Sequence, residues 1–130
     1  MKQIVCLSNE PWSPSPGRTQ QLVARLKDVQ VLYFSPAESW RDQRFRGKGR
    51  AVKPNITTYT LPPLLLPVDE RYGELFQLGQ RKLARYIAGK MAKHRFRAPL
   101  LWTTSPEHVH LLDHLSYDGL VYDCDREWEG

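Results

Sequence analysis

QIVCLS, residues Gln3 to Ser8, is apolar at successive rather than alternate positions and rich in β-branched side chains, the mark of a strand buried on both faces. The segment after it decides the kind of sheet. NEPWSPSPGR carries Pro11, Pro14, Pro16 and Gly17, which exclude a helix, so it is a loop that delivers Trp12 and Arg18 to a set place. Thr19 then caps a helix predicted to run to about Asp28, with Leu22, Val23 and Leu26 along one stripe. QVLYFS, Gln30 to Ser35, returns to strand character.

Downstream, Pro36 to Pro54 is polar, basic and glycine-bearing, with Gly47 and Gly49 framing Lys48, and reads as a loop. ITTYTL, Ile56 to Leu61, is a strand by its Thr and Tyr content, whereas the prolines of LPPLLLP, Leu61 to Pro67, stop it. From about Asp69 to Arg97, Leu75, Phe76, Gly79, Leu83, Ile87 and Met91 track one face of a long helix, with Arg81, Lys82, Arg85, Lys90 and Lys93 on the others. Pro99 leads into LLWTTS, a fourth strand. Pro106 and Glu107 open a helix through His114, and Gly119 begins LVYDC, a fifth strand with a buried pattern. The order β-α-β-β-α-β-α-β implies an α/β domain with a largely parallel sheet covered on both faces by right-handed crossovers.

With 130 residues and 41% hydrophobic content, the chain is expected to form one domain that buries roughly two thirds of its unfolded surface. No apolar run is long enough for a bilayer span, and the start MKQIVCLSNEPW lacks the apolar stretch of a secretory signal, so a cytoplasmic location is expected. Cys6 and Cys124 read as reduced structural thiols. The net charge of +5 is unevenly spread: Arg41, Arg44, Arg46, Lys48, Arg50 and Lys53 crowd one loop, Arg81 to Arg97 form a second basic cluster, and the last residues are acidic apart from Arg126.

Neither G-x-G-x-x-G after the first strand nor G-x-x-x-x-G-K-[ST] occurs, which removes the dinucleotide and Walker signatures. Gly17 and Arg18 stand at a helix N-terminus, where an anion would be favoured. In SPEHVHLLDH, His110 and His114 have a metal-compatible spacing, but nothing nearby completes a ligand set, and no metal is expected. Glu107 and His108 occupy the first turn beyond a strand's carboxyl end, where open α/β sheets handle ligands. YDCDREWE places Asp123, Asp125 and Glu127 at the same end of the next strand, as general-base or orienting groups for a hydroxyl nucleophile. Trp40 and Phe45 within the basic loop, together with LPPLLLP, would suit an anionic lipid surface, or single-stranded nucleic acid through stacking.

Taken in order, Trp12, Arg18, Gln20 and Gln21, VLYFSP, LLWTTSP and LVYDCDREW resemble the N-terminal domain of the GT-B glycosyltransferases over nearly the whole chain. The string is most similar to the group containing teichuronic acid and other cell-surface polysaccharide transferases. The resemblance implies an open, mostly parallel Rossmann-like sheet with helices on both faces. Residues 1–130 would be the acceptor-side half of a longer two-domain enzyme, inactive alone. Trp12 and Arg18 match the family's loop after the first strand, Ser105 and Pro106 the turn after the fourth, and Asp123 the acid of its Tyr-Asp-Cys string. Thr19 departs from the usual Pro, and Arg126 with Glu127 departs from a second Asp.

The resulting expectation is a nucleotide-sugar-dependent transferase for cell-surface polysaccharide or glycolipid synthesis, peripheral to the inner membrane face. Asp123 or Asp125 would be catalytic, and Trp12, Arg18, Glu107, His108 and Glu127 would bind substrate. This domain would hold no cofactor; the nucleotide-sugar donor would sit on the C-terminal domain, and the other partners would be a glycan or lipid-linked acceptor and an anionic membrane surface. The rival is a stand-alone α/β binding or regulatory domain whose basic loop docks nucleic acid or an acidic partner. Nucleic acid ranks below the glycan.

Overall fold

The run beginning at Gln3 becomes the centre of the sheet. The computed structural model describes residues 2–36, 49–62, 74–104 and 111–122. Its elements are β1 (Lys2–Leu7), α1 (Arg18–Ala24), β2 (Val29–Ser35), β3 (Arg50–Lys53), β4 (Ile56–Thr60), α2 (Glu74–Lys93), β5 (Leu100–Thr103) and β6 (Gly119–Tyr122). The strands lie in the order β3-β4-β2-β1-β5-β6. All neighbours are parallel except β3, which pairs antiparallel with β4. The protein is thus an α/β chain with a mostly parallel six-stranded sheet and, among the described residues, two helices.

Alternation along the strands sorts their side chains into two cores. Val5, Leu7, Leu32, Phe34, Tyr59 and Leu101 gather with Ala84, Ile87 and Met91 of α2 and with Leu111 and Leu112. Ile4, Cys6, Val31, Tyr33 and Ile56 project the other way and gather with Val23 of α1. Leu83, one of the expected α2 contact residues, is only half-buried, while Gln80 and Ala84 are buried in the same helix.

Several expectations are corrected. The basic loop is not irregular throughout: Arg50–Lys53 forms the edge strand β3, although Arg41, Arg44, Arg46 and Lys48 lie outside the described residues. A four-residue strand with charges at both ends gives little apolar signal, and its identity comes from pairing with β4. Thr19 does not cap α1. The chain enters the helix from an extended Gly17, without a side-chain cap hydrogen bond, and the fully buried Thr19 Oγ1 has no hydrogen-bond partner among the described residues. The helix ends at Ala24 rather than near Asp28, whose φ of 60° belongs to a turn.

Two more corrections concern the last strands. Of the helix expected from Pro106 to His114, residues 106–110 lie outside the described set, and residues 111–114 form a 3₁₀ turn. β6 is not buried: Leu120, Val121 and Tyr122 keep 41–44% of their surface, because β6 is the sheet edge.

α2 ends at Lys93 rather than at Arg97, while its expected start near Asp69 lies outside the described residues, and the early end has a physical cause. Arg95 adopts a left-handed φ of 62°, Phe96 N–H donates to Met91 O at 2.7 Å, and Arg95 N–H donates to Ala92 O at 3.1 Å. With Phe96 and Met91 in one apolar cluster, this is a Schellman stop built on arginine rather than glycine. Cys6 is fully buried in β1; Cys124 lies outside the described residues. No helix among the described residues is long and apolar enough to cross a membrane.

Candidate functional site

β1 connects to β2 on one side, and α2 later carries the chain back so that β5 lies on the other side of β1. The strand order therefore reverses between β1 and β5, the kind of switch point beside which open α/β sheets place their ligands. Two main-chain bonds extend the ladders into these loops: Ser8 N–H to Phe34 O at 3.0 Å and Thr104 N–H to Leu7 O at 3.2 Å. The Thr104 hydroxyl then joins them. It accepts from Asn9 N–H and donates to Asn9 Oδ1, each at 3.1 Å.

The loop after β1 is held from below by Tyr33. Its hydroxyl lies 2.8 Å from both Ser8 Oγ and the Glu10 carbonyl, and Glu10 N–H donates to Ser8 Oγ at 2.9 Å. One phenolic proton serves one acceptor, so Tyr33 donates to the carbonyl while the Ser8 hydroxyl donates to Tyr33. Burial drives the phenol's pKa well above its ordinary value, against the opposing effect of Ser8, with Cys6 and Glu10 adding to the rise. Tyr33 is therefore a neutral strut and no base near neutral pH.

Trp12 stands edge-on to the Tyr33 ring, with centroids 5.2 Å apart and planes at 83°. It is half-buried against the Cys6 core, so one part of the indole serves the fold and the rest is open to a ligand. The buried Gln20 clasps the same loop from α1: Ser13 N–H donates to Oε1 at 2.7 Å and Nε2 donates to Ser13 O at 2.8 Å. Gln21 Nε2 adds a bond to Pro16 O at 3.0 Å. The prolines limit the loop's conformations, and these bonds select one.

Glu10 alters the expected anion place at Gly17. A Cβ added to Gly17 would overlap the Glu10 carboxylate, which lies against the start of α1, a helix with no acid of its own in the first turn. The carboxylate thus already meets the partial positive charge there. Arg18 is exposed beside it.

Of the expected site residues, Trp12 and Arg18 are brought to the loop and helix after β1. Glu107 and His108 lie outside the described residues, beyond Thr104 at the end of β5. Asp123, Asp125 and Glu127 also lie outside them, beginning one residue past the end of β6. β6 is two strands from β1, roughly 10 Å at the usual interstrand spacing. Sequence reasoning missed Asn9, Glu10, Tyr33 and Thr104. Small polar residues directly after strand runs were the available signal for Asn9 and Thr104; Tyr33 gave none. Among the described residues no group of three His, Cys, Asp or Glu side chains could hold a metal ion.

The chain matches no protein-family model, and comparison with curated proteins and with solved structures gives no match either.

Proposed function

We propose that this chain is the acceptor-side half of a GT-B glycosyltransferase, a Rossmann-like sheet with helices on both faces, acting in cell-surface polysaccharide or glycolipid synthesis. The observation that carries the reading is the reversal of strand order between β1 and β5, with the Trp12 loop and the Thr104 turn bound together at the carboxyl ends. Val23 of α1 and Ala84, Ile87 and Met91 of α2 joining oppositely directed side chains supports helices on both faces.

On this reading the acceptor sugar lies across the crevice. The open part of Trp12 offers an apolar face to a sugar ring, and Asn9 and Thr104 keep the floor in register. A hydroxyl nucleophile needs a carboxylate within hydrogen-bond reach of the proton that it loses, and Asp123 or Asp125 takes that role. Glu107, His108 and Glu127, which follow β5 and β6 in sequence, would bind the acceptor on this reading. Because the Glu10 carboxylate already occupies the start of α1, the reading favours a neutral hydroxyl group over a phosphate beside Gly17, and Arg18 meets any acidic part of the acceptor from outside. The donor nucleotide-sugar belongs to a second domain.

The test is nucleotide-sugar-dependent glycosyl transfer by the full-length protein that carries this domain. The Asp→Asn change at whichever of positions 123 and 125 supplies the base is expected to slow transfer about 10²–10⁴-fold. Wild-type rates in both variants would remove the assignment, and absence of transfer to any polysaccharide or glycolipid acceptor would remove the reading.

A further inference from the structure

Seven cations, Arg81, Lys82, Arg85, Lys90, Lys93, Arg95 and Arg97, fall between Glu74 and Glu107 without one intervening acid. The packing of α2 decides where they point. Phe76, Gln80, Ala84, Ile87 and Met91 are buried, so the opposite row, Leu78, Lys82, Arg85, Gly89 and Lys93, faces outward with Arg81 beside it. Lys90 is an exception, with its Nζ 5.0 Å from the centre of the Tyr59 ring and 5.2 Å from that of Tyr86. The other six are exposed, and among the described residues none of them is ion-paired to a carboxylate.

Such a face works against the isolated helix. Arg81 and Arg85 are like charges at i and i+4, and among the described residues no ion pair offsets their repulsion. We infer that the outward face of α2, continued by Arg95 and Arg97, docks on an anionic phospholipid bilayer. From Arg81 to Lys93 the cations span about 18 Å along a helix, and a flat surface can meet the whole row at once. Exposed Ala88, Gly89 and Ala92 let that surface approach closely; a Cβ at Gly89 would meet nothing within 4 Å. Leu78, 43% exposed, supplies one apolar side chain at the boundary. No aromatic ring is exposed among the described residues of this face, which leaves nucleic acid bases without a stacking platform. The inference rests on the charge and packing of α2; the transferase expectation also includes an anionic membrane surface, but vesicle binding and glycosyl transfer are separate measurements, and either can fail without the other.

Co-sedimentation of the chain with lipid vesicles tests it. Binding is expected to an equimolar mixture of phosphatidylglycerol and phosphatidylcholine, to weaken as salt rises, and to be absent with phosphatidylcholine alone. At about fivefold in partition coefficient per basic residue near the surface, the triple variant Arg81→Gln, Lys82→Gln, Arg85→Gln should bind roughly 100-fold more weakly. These positions are exposed, so circular dichroism should be unchanged. Lys2→Gln, Arg25→Gln, Lys27→Gln removes the same charge from exposed sites elsewhere and should retain most of the binding. Equal losses in the two triple variants would overturn the inference, since net charge would then account for the binding. Failure of the unaltered chain to bind anionic vesicles, with or without binding to an oligonucleotide, would also overturn it.

Discussion

β2 and β6 are written in nearly the same alphabet and live in opposite surroundings. VLYFS in β2 is buried from Val31 to Ser35, with Tyr33 and Phe34 fully enclosed, whereas Leu120, Val121 and Tyr122 of β6 keep more than two fifths of their surface. Composition admits a strand to the sheet, but neighbours decide whether it is covered. β2 lies between β1 and β4 and meets side chains from α1 and α2 in the two cores; β6 has β5 on one side. The opposite edge, β3, carries Arg50 and Lys53, the kind of charge that discourages edge-to-edge pairing, and β6 carries none.

The comparison breaks most readily at Phe34. Phe34→Ala should lower the unfolding free energy by about 3–5 kcal/mol in denaturant titrations, through the lost stacking on Tyr59 and the cavity facing α2. A cost below that of an ordinary surface change would mean that β2 is not the centre of the core. Tyr33→Phe, on the other face, keeps the ring against Trp12 but removes the hydroxyl under the Glu10 carbonyl, and should cost about 1–3 kcal/mol with a changed near-ultraviolet Trp signal. An unaltered stability and spectrum would show that the loop holds itself.

A smaller effect sits one strand further along, where Tyr59 and His94 Nε2 share a hydrogen bond of 2.6 Å. Burial lowers the His94 pKa, with Lys93 and Lys90 repelling the proton. The folded state therefore favours the neutral ring. Its contribution is complete above the unfolded value of about 6.5 and is lost as pH falls below it. In His94→Gln, stability should vary less between neutral and mildly acidic pH; an unchanged slope would place the titration elsewhere. The smallest effect belongs to β6, where Tyr122→Thr should change stability by less than about 0.5 kcal/mol. A loss comparable to that at Phe34 would show that the edge is covered in solution.

Five of the six strands were legible as apolar or β-branched runs, and so was the parallel arrangement. β3 was not, because RAVK has no pattern apart from its partner. The exposure of β6 was also hidden: a run that is apolar at every position is compatible with two covered faces but cannot supply the layers. In the site, the prolines announced the loop and Trp12 within it. Its supports were invisible, since Tyr33 looks like any core aromatic until its hydroxyl meets Ser8 and Glu10, and Asn9 and Thr104 are 95 positions apart. The cap was misassigned because Thr19 has suitable chemistry, yet the chain turned into the helix at Gly17.

The Gln20 clasp has a consequence for how the molecule breathes. The Ser13 amide belongs to a loop, where solvent deuterium would ordinarily reach it within seconds, but its acceptor is a side chain rooted in α1. It can exchange only when Gln20 lets go, so its protection should rise and fall together with that of the amides within α1, and loop and helix should open as one cooperative unit.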